Sequence, residues 1–228
     1  MRDDPAAQEQ ERLCFLESCD LAPEELATVN LVEQPNLEWR HLSQADAILI
    51  GGAGAHSATV SYPFTAALEA VVERVVAEEK PMFASCFGHH FLVHALGGEL
   101  VTDHHRGEVG TFDVQLTDDG LEDPLFTAFP NRFPVQLGHH DIVLAIPPGV
   151  EELAYSDKSR YQMLRLADKP IYSSQFHSEM SERHLRARLE MYRGSYLAAE
   201  TSEEELSLPL RPSPWADKLL RRFFELYV

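Results

Sequence analysis

The sequence predicts an α/β fold: a doubly wound, mostly parallel sheet with helices on both faces and a small antiparallel β extension. Three observations carry this. A strand-like run at residues 46–50 (DAILI) ends at Gly51-Gly52. Residues 62–79 then place Phe64, Leu68, Val71, Val72, Val75 and Val76 at helical spacing. A second short apolar run, residues 81–84, leads through Ser85-Cys86 into another periodic segment closed by Gly97-Gly98. Near-continuous apolar strands alternating with amphipathic helices belong to parallel sheets covered on both faces.

In chain order, residues 5–21 read as a helix with Pro5 near its start, and 26–32 (LATVNLV) as a short β-branched strand. Strand, helix, strand and helix follow over 46–98. From Glu99 the pattern changes to short strands (99–101, 110–116, 133–137 and 153–156) between Asp- and Gly-rich turns. Residues 161–166 and 171–175 bracket Ala167-Asp168-Lys169-Pro170, a hairpin turn. Residues 181–192 form a helix with Ser181 as its cap. Residues 199–214 are acidic, then proline-bearing, and read as a loop; 215–228 form a last amphipathic helix. The expected organisation is one domain over 1–194, with 195–228 supplying that loop and a helix packed on it. A doubly wound domain normally opens on a strand, whereas this chain opens on a helix, so the first strand is expected upstream of Met1.

The length of 228 residues suits one domain with a full core. A formal charge of −18 argues against nucleic acid or an anionic membrane as partner, since both select clustered Lys and Arg. Three cysteines, Cys14, Cys19 and Cys86, make no disulfide framework, which fits a reducing, cytoplasmic setting. No apolar run approaches the ~20 residues that span a bilayer, and the polar first dozen residues are unlike a signal peptide. His104-His105 and His139-His140 are adjacent pairs, not spaced ligands, so no metal is expected. The Gly51-Gly52-Ala53-Gly54 loop matches no phosphate-binding or dinucleotide fingerprint, and no cofactor is expected.

Cys86 stands where a strand turns sharply into a helix. Such a turn presents a nucleophile in a strained, exposed position and aims the first N–H groups of the helix at the group attacked. The helix end also favours a thiolate. A buried core cysteine is the alternative reading of this stretch by itself. A cysteine nucleophile needs a base, and the base needs a partner that fixes its tautomer. Residues 170–180 (PIYSSQFHSEM) offer both. A strand ends at His177, and Glu179 follows two residues on, so in an extended chain both side chains leave the same face.

Three separated stretches resemble the class I, triad-type glutamine amidotransferases, of which the glutaminase part of GMP synthetase is one. They are Gly51-Gly52 after a strand, Cys86-Phe87-Gly88-His89-His90 with Ala95-Leu96-Gly97-Gly98 behind it, and Gln175-Phe176-His177-Ser178-Glu179. The residues 136–141 (QLGHHD) also resemble a loop that lines the family's glutamine pocket. The resemblance implies a flavodoxin-like fold in which Cys86, His177 and Glu179 are catalytic. It further implies that Gly52 and Phe87 bind the oxyanion through their N–H groups, and that Gly54, His90, Gly138, His140 and Asp141 surround the amino-acid end of the substrate. Two positions depart from the family pattern. Its usual Gln is His90 here, and imidazole cannot copy an amide's paired donor and acceptor. Its usual Pro is Ser178. The implied activity is hydrolysis of glutamine to glutamate and ammonia, the ammonia passing to a separate synthase subunit. A hydrolase of another γ-glutamyl amide or peptide, or a non-catalytic binding module on the same fold, are the alternatives.

Overall fold

A computed structural model describes residues 1–54, 56–192 and 210–228. Helix α1 (Pro5–Cys19) begins where the Asp4 side chain accepts the N–H groups of Ala6 and Ala7. Strand β1 (Ile48–Ile50), helix α2 (Thr65–Glu78), strand β2 (Met82–Ser85) and helix α3 (Phe87–Ala95) follow as expected. Then come β3 (Glu99–Thr102), β4 (Glu108–Leu116), the short α4 (Asp118–Glu122), β5 (Arg132–His139), β6 (Asp141–Ala145), β7 (Val150–Ser156), β8 (Met163–Leu166), β9 (Ile171–Ser174) and α5 (Glu182–Tyr192). A 3-10 turn, Ala216–Lys218, leads into the last helix, α6 (Leu219–Tyr227).

The main sheet has the order β1-β2-β9-β8-β7-β4-β5. β1, β2 and β9 run parallel, in a register that sets Ile50 beside Ala84 and Ser85 beside Ser174. Their carboxyl ends therefore stop together, which puts the chain after each strand along one edge, where open α/β sheets hold their ligands. The antiparallel extension is larger than the sequence suggests: β8, β7, β4 and β5 continue the same sheet, and β3 with β6 makes a separate two-stranded one.

Alternation along β2 divides the core. Met82 and Ala84 face α2 and α3 with Ile48, Ile50, Leu68, Val72 and Phe91. Phe83 faces the other way, onto α1 and α6 with Phe15, Tyr172, Phe176 and Phe223. Phe223 meets Phe83 edge-on at 5.6 Å between ring centroids, and the Tyr227 and Tyr172 hydroxyls are 2.7 Å apart, so α6 is seated firmly on the sheet.

Residues 26–32 form no strand. Despite its β-branched composition the segment follows a 3-10 turn, Pro23–Glu25, and ends in another turn. β1 is the edge of the described sheet on that side, and the segment does not pair with it. The expected loop at 199–214 lies outside the described residues as far as 209. Among the described residues no helix is long and apolar enough to cross a membrane.

Candidate active site

Cys86 adopts φ 52° and ψ −104°, a conformation that costs energy for any residue with a β-carbon and is kept only where its surroundings enforce it. Its N–H donates to the Ser174 carbonyl at 2.8 Å, tying the turn to β9. Gly88 brings α3 hard against β1: a methyl group there would stand 2.5 Å from the Ile50 carbonyl oxygen. The half-buried sulfur opens onto a cavity of about 230 Å³.

His177 and Glu179 come together, but not along a strand. β9 stops at Ser174, and the chain turns through Gln175 to Glu179. The Ser174 hydroxyl donates to the Phe176 carbonyl at 2.7 Å, and the His177 N–H donates to the Gln136 carbonyl at 2.9 Å. These bonds use up the backbone groups that an extended strand would have presented to a neighbour. Across the turn, His177 Nδ1 and Glu179 Oε1 are 2.6 Å apart, both side chains almost wholly buried. Ser178, in the family's proline position, lies inside the turn with its hydroxyl 3.3 Å from that of Ser174.

Burial works against a charged imidazole at His177. The Glu179 carboxylate and a hydrogen-bonding Cys86 outweigh it and raise the pKa to about 10. Cys86 on its strand-to-helix turn and His177, with Glu179 on Nδ1, line one cavity, and these are the residue types that acyl transfer employs.

The other residues singled out in the sequence all line the same cavity: Gly52, Gly54, Phe87, His90, Gly138, His140 and Asp141. Their roles differ. Phe87 is the first residue of α3, so its N–H has no intrahelical acceptor. The Gly52 N–H donates to Glu11 Oε1 on α1 at 2.8 Å. Gly138 offers its carbonyl to the Cys86 thiol at 3.9 Å. His90 Nε2 pairs with Gln175 Oε1 at 2.5 Å, and burial holds its pKa down to about 4, so it is a neutral ring. His140 lies against His104, the rings tilted by 45° with centroids 4.7 Å apart.

Asp141 is occupied by the protein itself. It accepts from Thr102 Oγ1 at 2.6 Å, from Ser57 Oγ at 2.5 Å and from the Ala58 N–H at 3.2 Å. It therefore joins β3 and the segment after Gly54 to β6 along the rim of the cavity.

A charged cluster at the site escapes the sequence reading: Arg2, Arg188 and Tyr192 in the lining and, behind them, Glu11. Arg2 Nε and Arg188 Nη1 both reach Glu11 Oε2, the second at 3.4 Å, and Arg2 Nη1 donates to the Tyr192 hydroxyl at 3.0 Å. The signal was available. Glu11 lies between Ala7 and Cys14 on the buried stripe of α1, and a carboxylate there requires a buried cationic partner. Burial opposes the Glu11 charge, but the two guanidinium groups prevail and hold its pKa down at about 2. Among the described residues no three His, Cys, Asp or Glu side chains converge as a metal site.

The fold and this constellation place the chain among α/β proteins with a cysteine at the carboxyl end of a central strand. Comparison with known proteins specifies the class. The family model for glutamine amidotransferase class-I matches residues 24–191. One component of the glutamine-hydrolyzing GMP synthase of Archaeoglobus fulgidus is 32% identical over 116 residues, which cover 50% of this chain and 58% of that protein. A glutamine-hydrolyzing GMP synthase of Thermomicrobium roseum is 34% identical over 142 residues, 62% of this chain and 24% of that one. The matched stretch is thus well short of the full length of these relatives. Among solved structures, a glutamine amidotransferase from Thermotoga maritima superposes with a TM-score of 0.65 at 22% identity, covering 82% of this chain and 79% of that one. A glutamine amido transferase from Methylobacillus flagellatus superposes with a TM-score of 0.73 at 19% identity, covering 94% and 88%. The chain belongs to the class I glutamine amidotransferase family.

Proposed function

We propose that this chain hydrolyses the side-chain amide of glutamine and hands the ammonia to a separate synthase subunit. Cys86, relieved of its proton by His177, attacks the amide carbon. The oxyanion forms beside the N–H of Phe87, a contact commonly worth about 3 to 4 kcal/mol. His177, whose raised pKa keeps it protonated at neutral pH, gives its proton to the departing nitrogen, and ammonia leaves a cysteinyl thioester. Water then attacks the thioester with His177 as base, releasing glutamate. Glu179 orients the ring and compensates its charge throughout. The observation that supports the reading is the 2.6 Å pairing of His177 with Glu179 beside the cavity that Cys86 and His177 both line. Relatives that are named as separate subunits of GMP synthase support a synthase partner in the role of ammonia recipient.

The neutral His90 in place of the family's glutamine supports a second substrate class, a γ-glutamyl amide or peptide, on the same three residues. Ammonia and glutamate released by the purified chain from glutamine, compared with amine released from γ-glutamyl peptides, separates the two. Turnover is expected to vanish in Cys86→Ala. Equal turnover by wild type and Cys86→Ala, or none by either on both substrates with a synthase partner present, would sink the proposal.

A further inference from the structure

Two arginines that no step above uses line the cavity. Arg2 and Arg188 are 5% and 4% exposed, and each leaves its Nη2 without a hydrogen-bond partner. Both pair with Glu11, so one carboxylate faces two guanidinium groups here. A buried guanidinium nitrogen with free protons is a donor waiting for an anion.

Arg2 is the one that lies beside Gly52 and His177. A methyl group on Gly52 would stand 2.8 Å from Arg2 Nη2 and 3.2 Å from His177 Cε1, so both groups crowd the same α-carbon. The position is not casual. Asn30 grips the Arg2 backbone in both directions, accepting its N–H at 3.2 Å and donating to its carbonyl at 2.8 Å. Glu11 holds Nε and Tyr192 holds Nη1, leaving Nη2 as the end of a fixed fork. Burial opposes the Arg2 charge, but Glu11 first, and Cys86 among smaller contributions, bind its proton more firmly.

The same carboxylate that holds Arg2 takes the Gly52 N–H through its other oxygen. We propose that Arg2 Nη2 supplies the oxyanion contact that the Gly52 amide cannot give while it is bound to Glu11, with Glu11 as the positioning residue. The inference rests on the hydrolytic reading above. As the Cys86 sulfur bonds to the amide carbon, the carbonyl electron pair moves onto oxygen, which accepts from Arg2 Nη2 and the Phe87 N–H. On collapse the C=O bond re-forms, the C–N bond breaks and the His177 proton goes to nitrogen. Arg2 stays protonated throughout.

The test is the kcat and KM of ammonia release from glutamine for the wild-type chain, Arg2→Met, Arg2→Lys and Glu11→Ala, each with and without guanidinium chloride below denaturing concentration. Arg2→Met is expected to lose about 100-fold or more in kcat with KM changed less than about 3-fold. Added guanidinium is expected to restore about 10-fold of that loss. Arg2→Lys guards against misfolding by keeping the charge, and its kcat should fall between the two. An Arg2→Met kcat within about 3-fold of wild type overturns the inference, as does a loss that guanidinium leaves unrestored. A rise in kcat for Glu11→Ala also overturns it, because that assigns the oxyanion to a released Gly52 amide. Should the wild-type chain release nothing from glutamine or γ-glutamyl peptides, the hydrolytic reading falls first and this inference with it.

Discussion

His177 Nδ1 lies 2.6 Å from Glu179 Oε1 across a turn in which only Ser178 separates the two residues. Because the turn rather than a strand sets the pair, its geometry is held by the bonds around it, from Ser174 Oγ to the Phe176 carbonyl and from the His177 N–H to Gln136. The carboxylate is then free to act on the ring alone.

Glu179→Gln keeps the shape of the side chain and removes its charge. Its kcat is expected to fall about 10³- to 10⁴-fold. The alkaline limb of the pH profile, where His177 loses the proton needed by the leaving group, should move down from about 10 towards the ordinary histidine value of 6.5. Stopped ammonia-release assays across alkaline pH read both effects, and an unmoved limb would contradict the assigned partner.

The positive-φ backbone at Cys86 is a store of strain. Cys86→Ala and Cys86→Gly both remove the sulfur and should both be inactive. Glycine relieves the conformation where alanine does not, so the glycine variant is expected to be the more stable by about 1 kcal/mol. Urea unfolding of the two variants measures the difference directly.

Glu11 makes stability depend on acid. Its folded pKa of about 2 lies below the ordinary 4.5, so the fold favours the ionised form. The contribution is complete above 4.5 and drains away as pH falls towards about 2. Glu11→Gln should be less stable at neutral pH, where it leaves Arg2 and Arg188 without their counter-ion, and should show a shallower loss between about pH 5 and pH 3. Denaturation midpoints at the two pH values test this.

At His90, an amide would present a donor and an acceptor side by side on one group, whereas the neutral ring carries them on separate nitrogens and has Nε2 engaged by Gln175. His90→Gln is expected to lower KM for glutamine about 5-fold, the worth of one hydrogen bond, with little change in kcat. Initial rates over a glutamine series decide it. A KM that rises instead would favour the γ-glutamyl peptide reading.

What the sequence disclosed follows how local each signal is. The β2–Cys86–α3 turn is legible because the strand, the strained residue and the helix are consecutive, and Gly88 stands where backbone must touch backbone. His177 and Glu179 are legible as residues but not as geometry, since the end of β9 depends on bonds to Gln162 and Gln136 in distant parts of the chain. Residues 26–32 carry strand composition without a strand partner. β6 was hidden for the opposite reason: Leu144 is exposed, and Asp141 breaks the apolar pattern to serve a hydrogen-bonding task. Gly52 lines the cavity, and its N–H donates to a carboxylate 41 residues earlier. Only the packing of α1 against the end of β1 reveals that.

The Asp141 clasp has one more consequence. Three donors from two separate segments converge on that carboxylate, so the rim of the cavity is held by the protein's own bonds. A substrate entering there surrenders its own freedom but asks little of the chain around it, and binding is spared the entropic toll that a floppy mouth would levy.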